Sequence, residues 1–158
     1  MMLAIVWHSR TGASRALAEA AARGAGPGGC LIAAERTTPE DLLAAQGYLF
    51  VCPENLAAMS GAMKEMFDRC YYPVLGRIEG RAYATIIAAG SDGTGAQRQL
   101  DRIATGWRLR RVSEPIIVNL LAQTPAAILA QKDVPAEELA RAAELGAALS
   151  AGLDQGIF

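Results

Sequence analysis

No stretch of the 158 residues reaches the roughly 20 consecutive apolar positions that a membrane-crossing helix needs, so no membrane partner is expected. Charge of one sign is lacking as well. Fifteen basic residues face 16 acidic ones, and a net charge of −1 gives no field that would gather nucleic acid. Cys30, Cys52 and Cys70 are odd in number and spaced like neither a disulfide framework nor a zinc site, so reduced and mostly buried thiols are expected. His8 is the only histidine, and no acidic cluster offers the oxygen ligands of a magnesium site, so no metal is expected. The apolar start Met1 to Trp7 is too short for a signal-peptide core and runs directly into His8, Ser9 and Arg10, which makes the cytoplasm the expected location. Proline and glycine punctuate the chain instead of running together, and there is neither repeat nor linker. One domain over residues 1–158 follows.

What is present is an alternation. Leu3 to Trp7 is an unbroken apolar run, followed by a polar glycine-containing loop and an alanine-rich stretch ending at Gly24: strand, loop, helix. Cys30 to Ala34 gives a second strand, and Thr38-Pro39-Glu40-Asp41 opens a helix predicted to reach about Gly47. Tyr48 to Cys52 is a third strand. After it Met59, Met63, Met66, Phe67 and Cys70 recur at helical spacing, a stripe that reads as core packing. Ala82 to Ala89 is a fourth strand, then a glycine-rich loop and a helix from about Gly95 to Thr105. A fifth strand is predicted within Leu109 to Asn119, most clearly at Ile116 to Val118. Leu120 to Lys132 has no clear pattern, and Pro135, Glu137 and Glu138 open a last helix. Apolar strands separated by helices imply an α/β fold, a doubly wound three-layer sandwich around a parallel sheet. Its ligands bind outside the carboxyl ends of the strands, which singles out the loops after strands one, three and four.

The first of these loops, His8 to Ser14, sets three hydroxyls (Ser9, Thr11, Ser14) and Gly12 between a strand end and a helix start. Unpaired N–H groups there carry partial positive charge and suit a phosphate; an ordinary helix-capping loop uses the same residues. No G-x-x-x-x-G-K-S/T is present, which removes the lysine of a nucleoside triphosphate site. No G-x-G-x-x-G is present either, since Arg98 stands where Gly93 and Gly95 would need a third glycine. A monophosphate fits best. The strand ends also lack the acidic cluster and aspartate of a receiver domain, and no cysteine precedes the first helix as a phosphatase loop of this fold requires.

Ser9-Arg10-Thr11-Gly12-Ala13-Ser14 resembles the Ser/Thr-x-Thr-Gly-x-Ser/Thr phosphate loop of flavodoxins and stands in its place after the first strand. Pro53-Glu54-Asn55, followed by Met59-Ser60-Gly61-Ala62-Met63-Lys64 and Phe67-Asp68-Arg69, is similar to the segment after strand three in the NAD(P)H-dependent FMN reductase and quinone reductase branch. Gly90-Ser91-Asp92-Gly93-Thr94-Gly95-Ala96 is similar to that branch's third flavin loop. Asn55-Leu56-Ala57-Ala58 differs in having neither the aromatic nor the glycine common there. The resemblance implies a flavodoxin-like sandwich with a five-stranded parallel sheet in the order 2-1-3-4-5 and bound FMN. Ser9, Arg10, Thr11, Gly12, Ala13 and Ser14 would hold the phosphate; Pro53, Glu54, Asn55, Leu56, Gly90, Ser91, Asp92, Gly93 and Gly95 would lie along the flavin. It implies NADH or NADPH as co-substrate, a small-molecule electron acceptor such as a quinone or flavin, and a homodimer or homotetramer, for which Tyr71-Tyr72-Pro73 is a candidate interface segment.

Because the cofactor carries such chemistry and the loops are chiefly backbone donors, no side chain is assigned as acid or base. His8 reads as a structural or phosphate-adjacent residue, Asp92 as half of an Asp-Gly turn, and Trp7 and Trp107 as core. Arg108, Arg110 and Arg111 flank Leu109 as an exposed strand face would, or as a phosphate or cofactor patch. The competing function is a flavodoxin-type electron carrier without a substrate of its own, although such carriers are usually more acidic than this chain.

Overall fold

The computed structural model describes residues 2–158. In chain order the elements are β1 (Leu3–Trp7), α1 (Ala13–Ala25), β2 (Gly29–Ala33), α2 (Pro39–Ala44), β3 (Gly47–Asn55), β4 (Ala58–Met59), α3 (Gly61–Val74), β5 (Ala82–Ala89), α4 (Thr94–Gly106), β6 (Arg110–Arg111), β7 (Ile116–Asn119), α5 (Pro125–Leu129) and α6 (Ala136–Asp154). Short 3-10 turns at Gly26–Gly28 and Ala34–Arg36 flank β2.

The sheet follows the path β2-β1-β3-β5-β6, and all of these pairings are parallel. The predicted order therefore holds for the first four positions, but the sheet is not simply five-stranded. Its fifth position is shared by two short strands, with β6 paired to Ala82–Tyr83 and β7 to Ile86–Ala89. Ser113-Glu114-Pro115 separates them, and Pro115 has no N–H to offer a ladder. A seventh strand, β4, folds back antiparallel onto the end of β3. Met59, predicted to begin a helical stripe, thus belongs to β4, and α3 starts only at Gly61.

Side-chain alternation along the strands divides the core in two. Leu3, Ile5, Leu49, Val51 and Ile86 face α1 and α6; Val6, Tyr48, Phe50 and Ile87 face α3 and α4. On the second face Phe67 links Phe50 to Trp107, with ring centroids 4.9 and 5.0 Å apart, and Met63 and Met66 fill the remaining space as predicted. Trp7 is instead half-buried, with the Arg15 guanidinium 5.9 Å from its ring centroid. On the first face α1 and α6 pack so closely that a Cβ on Gly24 would lie 1.9 Å from the Ala143 carbonyl oxygen, and one on Gly146 would lie 2.0 Å from that of Ala21.

Capping explains the helix limits. Thr38 and Asp41 form the predicted capping box of α2. That helix ends at Ala44, before the predicted Gly47, because Arg81 takes its last carbonyls. The guanidinium donates to the oxygens of Leu42 and Leu43 at 3.0 and 2.9 Å and also to that of Ala45. Gly47 is thereby freed to begin β3 beside Leu3 and Ala82. These contacts fasten the amino ends of the strands and leave the carboxyl ends to the loops.

Candidate functional site

β1, β3 and β5 are neighbours in the sheet, so the loops that follow them lie side by side at its carboxyl edge. The sequence-predicted residues divide among them. Ser9 to Gly12 form the first loop, and Ala13 and Ser14 begin α1. Pro53, Glu54 and Asn55 end β3, with Leu56 at the tip of the hairpin to β4. Gly90 to Asp92 form the third loop, Gly93 caps α4 and Gly95 lies in its first turn.

The first loop leads into a helix start that no side chain caps. Gly12 is the N-cap of α1 in the left-handed region, at φ 98°, where a side chain would strain the backbone. The Gly12 N–H donates to the Ser9 hydroxyl at 3.0 Å, which closes the loop locally. No side chain caps α1, and its first turn holds no acidic residue, so the positive end of the helix is not neutralised from within. Ser14, 1% exposed, has a hydroxyl with no hydrogen-bond partner. A buried, unsatisfied hydroxyl at an uncapped helix start is costly unless a ligand satisfies it.

The start of α4, at the same edge, is arranged oppositely. Glu54 reaches across from β3, and its carboxylate accepts the N–H groups of Gly93 at 2.8 Å and Ala96 at 3.0 Å. A residue 42 positions away in sequence thus does the work of an N-cap and neutralises the helix end. Nearby, the Gln99 side chain accepts the Met59 N–H at 2.8 Å, and Gly95 passes so close to the hairpin that a Cβ would lie 2.2 Å from the Ala57 carbonyl oxygen. The second and third loops therefore form one body. Pro53 to Asn55, expected as loop, are strand residues because Pro53 pairs with Ala88 of β5 and β4 pairs with Glu54 and Asn55.

The hairpin turn carries strain. Leu56 and Ala57 have φ of 52° and 62°, the signs required by a type I′ turn, a conformation that favours Asn and Gly. Leu56 is fully exposed. An apolar side chain is thus held in solvent on an unfavourable backbone.

His8 sits beneath the first two loops. One ring nitrogen, Nδ1, lies 2.7 Å from the Ser60 hydroxyl, and Nε2 lies 3.5 Å from Glu35. Burial pushes its pKa below the ordinary value, Glu35 partly opposes this, and Arg10 adds to it. His8 therefore holds Ser60 in place as a neutral ring, in keeping with a structural role. Burial also drives the Cys52 thiol up to about 12, which leaves it an inert core group.

Segment 120–132, unpatterned in the sequence, supplies two features that sequence reasoning misses. Leu120 donates to the Ala89 carbonyl at 2.8 Å, and the Ala122 carbonyl oxygen lies 2.7 Å from where a Cβ on Gly90 would stand, so the segment braces the third loop. Further on, Lys132 donates its backbone N–H to Thr11 at 2.8 Å, and the Gln131 amide lies over Gly12, where it would collide with any added Cβ. No local signal marks these residues, because each contact joins positions at least 31 apart in the chain. Among the described residues no group of three metal-ligating side chains occurs, and no helix is long and apolar enough to cross a membrane.

The geometry has counterparts among solved structures. A flavodoxin from the domain Archaea superposes with a TM-score of 0.77 at 15% identity, covering 98% of this chain and 99% of the other. A flavodoxin, WrbA-like protein from Agrobacterium tumefaciens gives 0.73 at 19% identity, with 97% of both chains covered. An oxidoreductase from Corynebacterium diphtheriae gives 0.66 at 17% identity, with 96% and 97% covered. At these identities the likeness establishes the fold, a flavodoxin-like three-layer sandwich. No curated protein sequence matches this chain. The sequence pattern of NADPH-dependent FMN reductases does match, over residues 35–119, which takes in the hairpin, the Glu54 bridge and the third loop. With that match spanning more than half of its length, the chain belongs to the NADPH-dependent FMN reductase family.

Proposed function

We propose that this member of a flavoprotein oxidoreductase family binds FMN at the carboxyl edge of its sheet, uses NADH or NADPH as electron donor and passes electrons to a small acceptor such as a quinone or a flavin. The observation that carries the reading is the contrast between the two helix starts. The start of α4 is filled by Glu54, whereas that of α1 is uncapped and has the unpartnered Ser14 hydroxyl beside it. Of these two helix starts, only that of α1 offers unfilled donors to a phosphate, which supports the reading.

Ser14, the first-turn N–H groups of α1 and the Thr11 hydroxyl would hold the phosphate. The hairpin and third loop would then lie along the ring system, presenting backbone donors whose positions are fixed by Glu54 and Gln99. Bound there, FMN supplies the electron-transfer chemistry. The chain's own contribution is positioning. His8 holds Ser60, Ser60 begins α3 by accepting the Lys64 N–H at 3.1 Å, and no proton need pass through either.

The test is a titration of the apo-protein with FMN, followed by fluorescence quenching and the visible spectrum, with the double substitution Thr11→Ala and Ser14→Ala as control. Saturable binding that the control loses supports the reading; absence of binding at high micromolar FMN overturns it. Steady-state NADH or NADPH oxidation by the loaded protein alone then separates a reductase, which turns over, from an electron carrier, which does not.

A further inference from the structure

The sheet has two edges of opposite character. The edge formed by β6 and β7 is broken into strands of two and four residues, carries Arg110 and Arg111 and is interrupted by Pro115, all features that keep a sheet edge from pairing with another. β2, at the other end of the path, has none of them. Gly29-Cys30-Leu31-Ile32-Ala33 holds no charge and no proline, among the described residues it pairs with β1 alone, and Leu31 is 38% exposed.

The ladder decides which backbone groups of β2 are free. Even-numbered residues of β1 face β3, because the Met2 carbonyl accepts the Gly47 N–H at 3.1 Å and the His8 N–H donates to the Val51 carbonyl at 3.0 Å. Leu3, Ile5 and Trp7 therefore face β2. In a parallel ladder they bond not to their opposite numbers, Gly29, Leu31 and Ala33, but to the residues on either side of these. Gly29, Leu31 and Ala33 thus turn their N–H and C=O groups away from the sheet. At each end one group is already used: the Gly29 N–H donates to the Gly26 carbonyl, and the Ala33 carbonyl accepts the N–H and the hydroxyl of Thr37, each at 3.0 Å. Among the described residues the Gly29 carbonyl, both groups of Leu31 and the Ala33 N–H have no partner.

This pattern is its own complement. Laid antiparallel about a two-fold axis at Leu31, two copies of β2 set Leu31 against Leu31 and Gly29 against Ala33. The Leu31 N–H groups then donate to each other's carbonyls, and each Ala33 N–H donates to the Gly29 carbonyl of the other copy. One further bond of such a pairing, from the Gly29 N–H to the Ala33 carbonyl, has both its ends committed within the chain. An unrelated extended peptide would set a donor and an acceptor of its own against these committed groups and leave both unpaired.

We propose that β2 is the pairing edge of a homodimer, in which two copies of the chain join antiparallel at Leu31 and their sheets run on as one. Leu31, opposite Ile5 in the register, meets its counterpart on the α1 face. Cys30 stands opposite Ile32 of the second copy at a non-hydrogen-bonded position, with Cα atoms about 4.5 Å apart. This surface is distinct from Tyr71-Tyr72-Pro73, which lies on α3.

The test is sedimentation velocity of the full chain from low to high micromolar concentration, comparing wild type with Leu31→Pro. Proline removes only the outward N–H of Leu31, which the β1 ladder does not use, and its fixed φ is tolerated on an edge strand. Wild type is expected at twice 16.6 kDa and the variant at 16.6 kDa, with dimerisation weakened roughly a hundredfold by the loss of one donor from each copy. Ile32→Cys, oxidised with glutathione disulfide, keeps the test open should proline prevent folding. Its new thiol stands within disulfide reach of Cys30 of the second copy, so a covalent dimer is expected that the further substitution Cys30→Ser abolishes. Wild type that stays monomeric overturns the proposal. So does a folded Leu31→Pro protein that dimerises like wild type, which moves the contact to another surface such as that of Tyr71 and Tyr72. An Ile32→Cys protein that forms no dimer linked through Cys30 overturns it as well.

Discussion

Replacing Ser14 by alanine should move stability and ligand affinity in opposite directions. In the free protein the Ser14 hydroxyl is buried and unpaired, so removing it relieves a desolvation penalty of about 1 kcal/mol, the low end for an unsatisfied group. Ser14 is also the second residue of α1, where alanine is the better helix former by roughly 0.5 kcal/mol. Against these stand a few tenths of a kcal/mol for the small void left behind, by the usual cost of roughly 20 cal/mol per Å² of cavity surface. The net is a gain of about 1 kcal/mol, which raises the urea midpoint by about 0.5 M if m is near 2 kcal/mol/M. With FMN present, the same substitution deletes a hydrogen bond to a charged phosphate, a loss of about 1.5–3 kcal/mol, or roughly ten- to hundredfold in affinity. Urea denaturation of the apo-protein and FMN titration of the folded protein measure the two effects separately. A variant that is less stable when free, or that binds FMN as tightly as wild type, would refute the assignment of Ser14 to the phosphate.

Three further outcomes follow from the same geometry. Glu54→Ala strips two N–H groups at the start of α4 of a charged acceptor; with half-exposure allowing water to replace part of it, the expected loss is about 2–3 kcal/mol, checked by urea denaturation and by faster amide exchange at Gly93 and Ala96. Leu56→Asn with Ala57→Gly places in the hairpin turn the residues its φ signs favour, and a stabilisation of about 1–2 kcal/mol is expected; an unchanged thermal midpoint would show that the turn is not strained. His8 has a pKa lowered on folding, so the unfolded chain takes up its proton first as pH falls; the stability it contributes is present above pH ~6.5 and lost as pH drops from there through the folded value. In denaturation series between about pH 7.5 and 5, His8→Asn should flatten that part of the profile, and an unaltered slope would assign the pH dependence elsewhere.

Much of the molecule was legible because its signals are local. Continuous apolar runs at Leu3–Trp7, Tyr48–Cys52 and Ala82–Ala89 mark buried parallel strands, since burial on both faces leaves no room for polar alternation. Thr38 to Asp41 states its own helix cap, and Met63, Met66 and Phe67 announce a core face by spacing. The make-up of the first loop was equally readable, because its hydroxyls and glycine at a helix start are consecutive residues. The hairpin was not: nothing in Asn55-Leu56-Ala57-Ala58 favours a tight turn, and β4 exists because the carbonyl of Pro53 accepts the Ser60 N–H at 3.2 Å while Gln99 takes the Met59 N–H.

By itself, then, the sequence determined the layers, the side of the sheet that carries the loops and the place of the first loop between strand and helix, all consequences of hydrophobic period and turn residues a few positions apart. Only the tertiary structure decided the division of the fifth strand, the commitment of Glu54 to α4 and the bracing of the loops by residues 120–132. Each of these joins residues across the fold. Their energies depend on distance and burial that no short stretch of sequence records, because a carboxylate such as Glu54 reads the same in the chain whether it meets solvent, a ligand or the start of a helix.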